Sequence, residues 1–343
     1  MLRLAIIYVI GVMLFISCDN KPERTITCGI YYWKSYFNPT SFEKQRLDSL
    51  QVNCLYIKFF DISWDDLAHK ALPVAKIHIR DTSYLQQKTI VPTVFITNEV
   101  FYKLDSAEVK ALASNTTALL KKYSTLYRLD PINEVQMDCD WTATTKDKYF
   151  YFLENIKAQN IAPVVSATIR LHQVKYTTSS GVPPAHKGLL MCYNMGNLQD
   201  IKSRNSIIDV ETFKAYQPFI QTYPLHLDIG LPLFDWYVLF RKDKYAGLFL
   251  SVPTPVLNSF KSGSPYHFEV LKDTVISGRP LKTGDVLRYE NSDAVTVQNV
   301  VRLLNKKLTA KGLHVVLYHC DSVILNKYSL HELESFYSGL RRY

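Results

Sequence analysis

Glu134-Val135-Gln136-Met137-Asp138-Cys139-Asp140-Trp141 alternates polar and apolar residues over eight positions. Side chains of a strand point alternately to its two faces. Gln136, Asp138 and Asp140 therefore share one face, and Val135, Met137, Cys139 and Trp141 share the other. A strand that is apolar on one face and acidic on the other ordinarily lies against water. The flanking pattern places this one in a core, with the acidic face pointing into a barrel. Two unpaired carboxylates buried there would be costly, so they need a partner or a task.

The flanking pattern is a repeat. Strand-like runs occur at Thr27–Lys34, Cys54–Ile62, Ile90–Thr97, Glu134–Trp141, Ala162–Arg170, Gly188–Asn197, Leu227–Trp236 and Gly312–Asp321. Helix-like stretches at Ser41–Leu50, Ser106–Tyr127, Lys146–Gln159, Val210–Thr222, Ser292–Lys311 and Ser329–Arg341 lie between most of them or close the chain. Asp105-Ser-Ala-Glu108 has the form of a capping box for the second of these. Lys146–Gln159 carries Tyr149, Phe152, Leu153 and Ile156 at helical spacing. Eight strands alternating with helices predict an α/β fold, a (β/α)8 TIM-like barrel over residues 26–343. No Gly-rich nucleotide fingerprint follows any strand, which counts against a doubly wound sheet. Residues 237–291 are too long for a bare loop. They hold β-like runs at Leu248–Val252, His267–Leu271 and Val286–Tyr289 between Gly- and Pro-containing turns. They predict a small β-rich insertion after the seventh strand.

The first residues set the expected compartment. Arg3 precedes an apolar run, Leu4–Ile16, that is short for a membrane span but suits the hydrophobic region of an export signal. Leu14-Phe-Ile-Ser-Cys18 resembles a bacterial lipobox. That resemblance implies a signal over residues 1–17, lipidation of Cys18, a polar tether over residues 18–25 and an exported protein anchored in the cell envelope, with the outer membrane the expected site. Of the six cysteines, Cys28, Cys54, Cys139, Cys192 and Cys320 lie in apolar strand-like segments without CxxC spacing. They read as small buried hydrophobes, with Cys28 and Cys54 the one pair to inspect for a bridge.

Composition narrows the partners. Hydrophobic residues make up 47% of the chain, ample for a core, and the formal charge of +9 is scattered rather than gathered into a stripe. No nucleic-acid motif accompanies it, so DNA and RNA are not expected partners. The 23 tyrosines supply flat apolar faces with polar tips, suited to sugar rings as well as to cores.

Catalytic residues of such barrels gather at the C-terminal ends of the strands. Polar and aromatic residues recur at those ends here: Trp33 on the first; Asp61 on the second; Thr97-Asn98-Glu99 on the third; Asp138 and Asp140 on the fourth; Ser166, Thr168, Arg170 and His172 on the fifth; Tyr193 and Asn194 on the sixth; Asp235 and Trp236 on the seventh; His319 and Asp321 on the eighth. Together they predict a cleft of carboxylates, aromatics and an arginine. Such a cleft suits glycosidic bonds, whose hydrolysis needs a carboxylic acid at the leaving oxygen and a second group to stabilise the cationic sugar. Neighbouring carboxylates raise one another's pKa, so one can hold a proton near neutral pH.

Two motifs add a resemblance. Asp138-Cys-Asp140-Trp-Thr142 is similar to the Asp-x-Asp-x-Glu signature of the chitinase-like family 18 glycoside hydrolases. Met191-Cys-Tyr193-Asn194 resembles that family's Met-x-Tyr-Asp. The chain also looks like Bacteroidota lipoproteins with glycosyl-hydrolase-like barrels. The resemblance implies a carbohydrate partner, no cofactor, and a role for envelope glycan-processing partners. It implies Asp138, Asp140 and Tyr193 as catalytic residues, with Asp140 as acid, Asp138 tuning it and Tyr193 steadying the reacting sugar. Trp33, Asp61, Arg170, Asn194, Asp235, Trp236, His319 and Asp321 would bind substrate. Two positions depart from the pattern: Thr142 stands where the family has its acid glutamate, and Asn194 replaces an aspartate. Either Asp140 takes the acid's role, on this or a shifted registration, or Asp61, Glu99, Asp235 or Asp321 supplies it, or the barrel binds glycans without cleaving them. A metal-dependent hydrolase using Asp138, Asp140, His172 and His319 is the weaker alternative, because no HxH or HExxH spacing supports it.

Overall fold

The structure is a computed structural model that describes residues 23–129, 131–264 and 266–342. Eight parallel strands close into a barrel: Thr25–Tyr32, Cys54–Asp65, Thr89–Ile96, Glu134–Cys139, Val164–Arg170, Lys187–Met191, Leu227–Pro232 and Gly312–Tyr318. Each pairs with its sequence neighbours in the barrel. The first strand closes the ring by pairing with both the second and the eighth, as Gly29 with Cys54 and Gly29 with Val316. The expected (β/α)8 barrel is the fold of this chain.

Helices cover the barrel because each presents one apolar face to it. The longest, Ser106–Tyr127, starts at the Asp105–Glu108 capping box and buries Val109, Leu112, Ala113, Leu120 and Tyr123. The next, Lys146–Ala158, buries the expected Tyr149, Phe152, Leu153 and Ile156. The helix expected over Val210–Thr222 is two short ones, Val210–Lys214 and Gln217–Ile220, because Pro218 suits the first turn of a new helix and not the interior of an old one. The stretch Ser292–Lys311 is helical only from Ala294 to Asn305, with Asp293 as its cap. The sixth strand ends at Met191 and the seventh at Pro232, earlier than their apolar runs suggested. The second strand instead runs on to Asp65 and folds back on Lys70–Val74, a hairpin without an evident sequence signal.

The insertion is a five-stranded antiparallel sheet. It spans Asp235–Arg241, Lys244–Phe249, Lys261–Ser264, His267–Glu269 and Val286–Asn291, with a separate hairpin at Thr274–Ile276 and Arg279–Leu281. It has a core of its own, formed by Leu239, Phe249, Val252, Phe260, Val270, Ile276, Leu281 and Leu287. Lys242 and Asp243 both adopt positive φ, the geometry that lets a two-residue turn follow the twist of its strands.

At the opposite end from the expected site, Arg24 ties the start of the first strand to the last part of the chain. Its guanidinium is buried and donates to the carbonyls of Leu308, Ala310 and Leu340 and to Asn305. Arg24 and Thr25, assigned to the tether by their polarity, thus belong to the barrel, Thr25 opening its first strand and Arg24 packing buried; a buried polar side chain that finds acceptors packs as core. The signal, Cys18 and the rest of the tether lie outside the described residues. The five remaining cysteines are free, and no bridge joins Cys28 to Cys54. No helix among the described residues is long and apolar enough to cross a membrane.

Candidate active site

The inward faces of the fourth and fifth strands build the site rung by rung. Glu134 accepts from Ser166 at 2.6 Å, Asp138 accepts from Thr168 at 2.6 Å, and Asp140 is gripped by Arg170 through Nε and Nη2. The expected alternation holds. Trp141 and its apolar companions face the helices, where Trp141 stacks on Tyr149 and donates to the carbonyl of Ser180. Gln136 on the inner face accepts from the buried Tyr31 hydroxyl at 2.5 Å.

Towards the barrel floor the interior is ionic. Lys187 reaches Glu134 at 2.7 Å and Asp228 at 2.8 Å, with Asp228 also accepting from the His314 backbone at 2.7 Å. Lys187 and Asp228 carried no sequence motif. Each sits singly in an apolar strand, and only barrel closure brings them to Glu134.

At the other end, strand ends and insertion enclose a cleft of about 910 Å³. Trp33, Asp138, Asp140, Arg170, Tyr193, Asn194, Asp235, Trp236, His319 and Asp321 all line it. Asp61 does not. It pairs with Lys58 at 3.0 Å, and Lys58 in turn lies over the Trp33 ring. His172 also falls outside the lining, because the fifth strand ends at Arg170 and a helix carries His172 away. Among the described residues no three His, Cys, Asp or Glu side chains converge as a metal site. Thr142 has left the strand; its hydroxyl bonds to Thr144 and Thr145, and it is exposed outside the cleft lining.

The floor of the mouth is aromatic. Tyr193 stacks on Tyr318 with centroids 5.5 Å apart, and Tyr31, Trp33 and Phe234 meet Tyr318 edge-on. Burial holds the phenols of Tyr31 and Tyr193 far above their usual range, so they remain hydroxyl donors. Trp236 is fixed by its indole N–H, which donates to Glu290 at 2.6 Å.

Most carboxylates lining the mouth face a cation: Asp140 faces Arg170, Asp235 faces Lys327, and Asp321 faces Lys34. Asp138 is held by a hydroxyl instead. Desolvation, followed by the charge of Asp140, pushes its pKa up to about 7; the Thr168 hydrogen bond and Arg170 pull the other way but do not prevail. One carboxyl of the cleft is therefore poised between protonation states at neutral pH.

Tyr318 lines the cleft from the eighth strand end that the sequence pointed to, Tyr318-His319-Cys320-Asp321. Lys327, beyond the helix Ser322–Leu325, and Leu250, Val252 and Tyr289 from the insertion were not expected. These carry no local signal, since the paths of that helix and of the insertion over the mouth are tertiary properties.

No family model and no curated protein matches the sequence. Solved structures do match. The spore cortex-lytic enzyme SleL of Bacillus cereus superposes with a TM-score of 0.55 at 14% identity, over 92% of this chain and 75% of that one. The likeness is one of fold. SleL of Bacillus megaterium QM B1551 gives a TM-score of 0.52 at 11% identity, over 88% of this chain and 72% of that one. A chitinase of Chromobacterium violaceum gives 0.51 at 10% identity, over 92% and 98%. The chain thus shares the barrel fold of these enzymes.

Proposed function

We propose that the cleft binds a glycan at the barrel mouth and hydrolyses a glycosidic bond, with Asp138 as the carboxyl that donates the proton. The observation that carries this reading is a single carboxyl brought to about 7 within an aromatic cleft. A general acid works best when its pKa lies near the working pH. Asp140, which the sequence nominated as acid, suits the opposite role. Its bidentate pairing with Arg170 fixes where its oxygens point, and a negative charge there would stabilise the positive charge that develops on the sugar. Tyr193 supplies a protonated hydroxyl beside them, and Trp33 and Trp236 offer ring faces to the sugar. Chitin and spore cortex, the materials named for the similar structures, are the first glycans to assay.

A second reading, glycan binding without cleavage, is favoured by Thr142, which stands at the family's acid position and turns away from the cleft. Turnover of a glycan panel separates the two. Hydrolysis that survives chelator and disappears in Asp138→Asn supports the first. Binding without turnover in the wild type supports the second and ends the first.

We also propose that Cys18 is lipidated and anchors the protein in the cell envelope, from the lipobox-like Leu14–Cys18 run. Incorporation of a labelled fatty acid that is lost in Cys18→Ser tests this.

A further inference from the structure

The cleft lining combines the barrel's strand ends with residues of the insertion and of the helix after the eighth strand. Its barrel end presents Asp138, Asp140, Arg170 and Asn194. Beyond the strand ends it presents branched aliphatics from two separate elements, beside Ser251, Asp321 and Lys327: Leu250 and Val252 follow the insertion strand Lys244–Phe249, and Val323 and Ile324 belong to the helix Ser322–Leu325. Leu250 is 75% exposed and Val323 is 69% exposed. Lone exposed aliphatics carry no meaning, but these two border the same cleft. Their placement is also set by neighbours. Phe249 and Val252 are held in the insertion core while Leu250 is turned out. Asp321 caps the helix by accepting from the Val323 N–H at 2.9 Å, which fixes where Val323 stands. A branched aliphatic offers a sugar neither a flat ring face nor a hydrogen bond. It offers a hydrocarbon chain removal from water.

We infer that the cleft takes an amphiphilic glycoside: a sugar at the barrel end whose apolar alkyl-type aglycone lies along Leu250, Val252, Val323 and Ile324. This rests on the reading of the barrel end as a sugar site and names the class of substrate that site would take. Trp236, Phe234 and Tyr237 line the cleft as well and supply faces that suit either part.

The test is titration calorimetry of the purified protein with methyl and octyl glycosides of β-D-glucose and N-acetyl-β-D-glucosamine, below their micellar concentrations. The octyl compound is expected to bind at least about tenfold more tightly than its methyl partner, since apolar pockets discriminate on that scale even for small additions. Leu250→Asn with Val323→Asn is expected to bring the two within about twofold of each other. Both side chains are exposed, so folding should survive. Asp138→Asn should keep the octyl preference while losing turnover. Equal affinity for methyl and octyl compounds overturns the inference and leaves the sugar site standing. Competition by 1-octanol as strong as by octyl glycoside overturns it from the other side, because the sugar would then contribute nothing and the sugar-site reading would fail with it. Absence of binding by every compound also overturns it.

Discussion

Arg170 takes both oxygens of Asp140, Nε on one and Nη2 on the other. The pair spans adjacent strands at the mouth of the barrel and leaves Asp138, two residues below Asp140, without a cation of its own. A fork-to-carboxylate contact is directional as well as attractive, so it orients Asp140. The division of labour in the site follows from this contact.

Asp138→Asn should abolish proton donation while keeping the Thr168 contact and the cleft shape. Turnover of a cleaved glycan is expected to fall by about 10²- to 10⁴-fold, the usual contribution of a general acid, with little change in affinity. Steady-state kinetics beside a direct binding measurement would show it. A large loss of affinity with turnover intact would count against the assignment.

Arg170→Gln removes a charge that lowers the pKa of Asp138. A general acid must be protonated, so activity is lost as pH rises through that pKa, near 7 in the wild type. The alkaline limb of the kcat/KM profile should therefore move to higher pH in Arg170→Gln. Thr168→Val, which removes a hydrogen bond that also lowers it, should move the limb the same way.

The same carboxyl links stability to pH. Its pKa is raised from 3.8 to about 7 on folding, so between those values the folded chain binds the extra proton. Stability from this group is present below about pH 4 and is lost as pH rises towards 7, with a slope of at most about 1.4 kcal/mol per pH unit. Histidines that folding makes less basic, His314 and His319 among them, act in the opposite sense over part of this range. The difference between wild type and Asp138→Asn isolates the carboxyl. Denaturant unfolding should show the variant gaining relative to wild type as pH rises from 4 to 7.

Lys187→Met should destabilise the barrel by about 3–5 kcal/mol, because it leaves the carboxylates of Glu134 and Asp228 buried without their shared cation. Burial disfavours the Asp228 anion, but His226, Lys187 and His314 outweigh it and bring its pKa down to about 2. Its stabilising contribution is thus present above the usual carboxylate range and lost as pH falls from about 4 to 2. Urea titrations at pH 7 and pH 3 should show a smaller penalty for Lys187→Met at the lower pH.

Period-two alternation is a local property, and it was legible. It placed Gln136, Asp138 and Asp140 inward and Trp141 outward, while the succession of strand-like and helix-like runs identified the barrel. The Asp105–Glu108 cap was legible for the same reason, since it depends on residues close in sequence. Element ends were less so. The sixth strand stops at Met191 although the apolar run continues, because apolar residues pack as well in a loop as in a strand.

What the sequence by itself determined is therefore the face on which each carboxylate lies and the end of the barrel at which it stands. Which carboxylate keeps its proton was decided only by tertiary structure. Asp138 and Asp140 share a face and a strand, and nothing local distinguishes them. Strand pairing sets Arg170 opposite Asp140 and Thr168 opposite Asp138, one a cation and the other a neutral hydroxyl. Charge is compensated by distance in space, and partners 30 residues apart in the chain become neighbours only when the sheet forms.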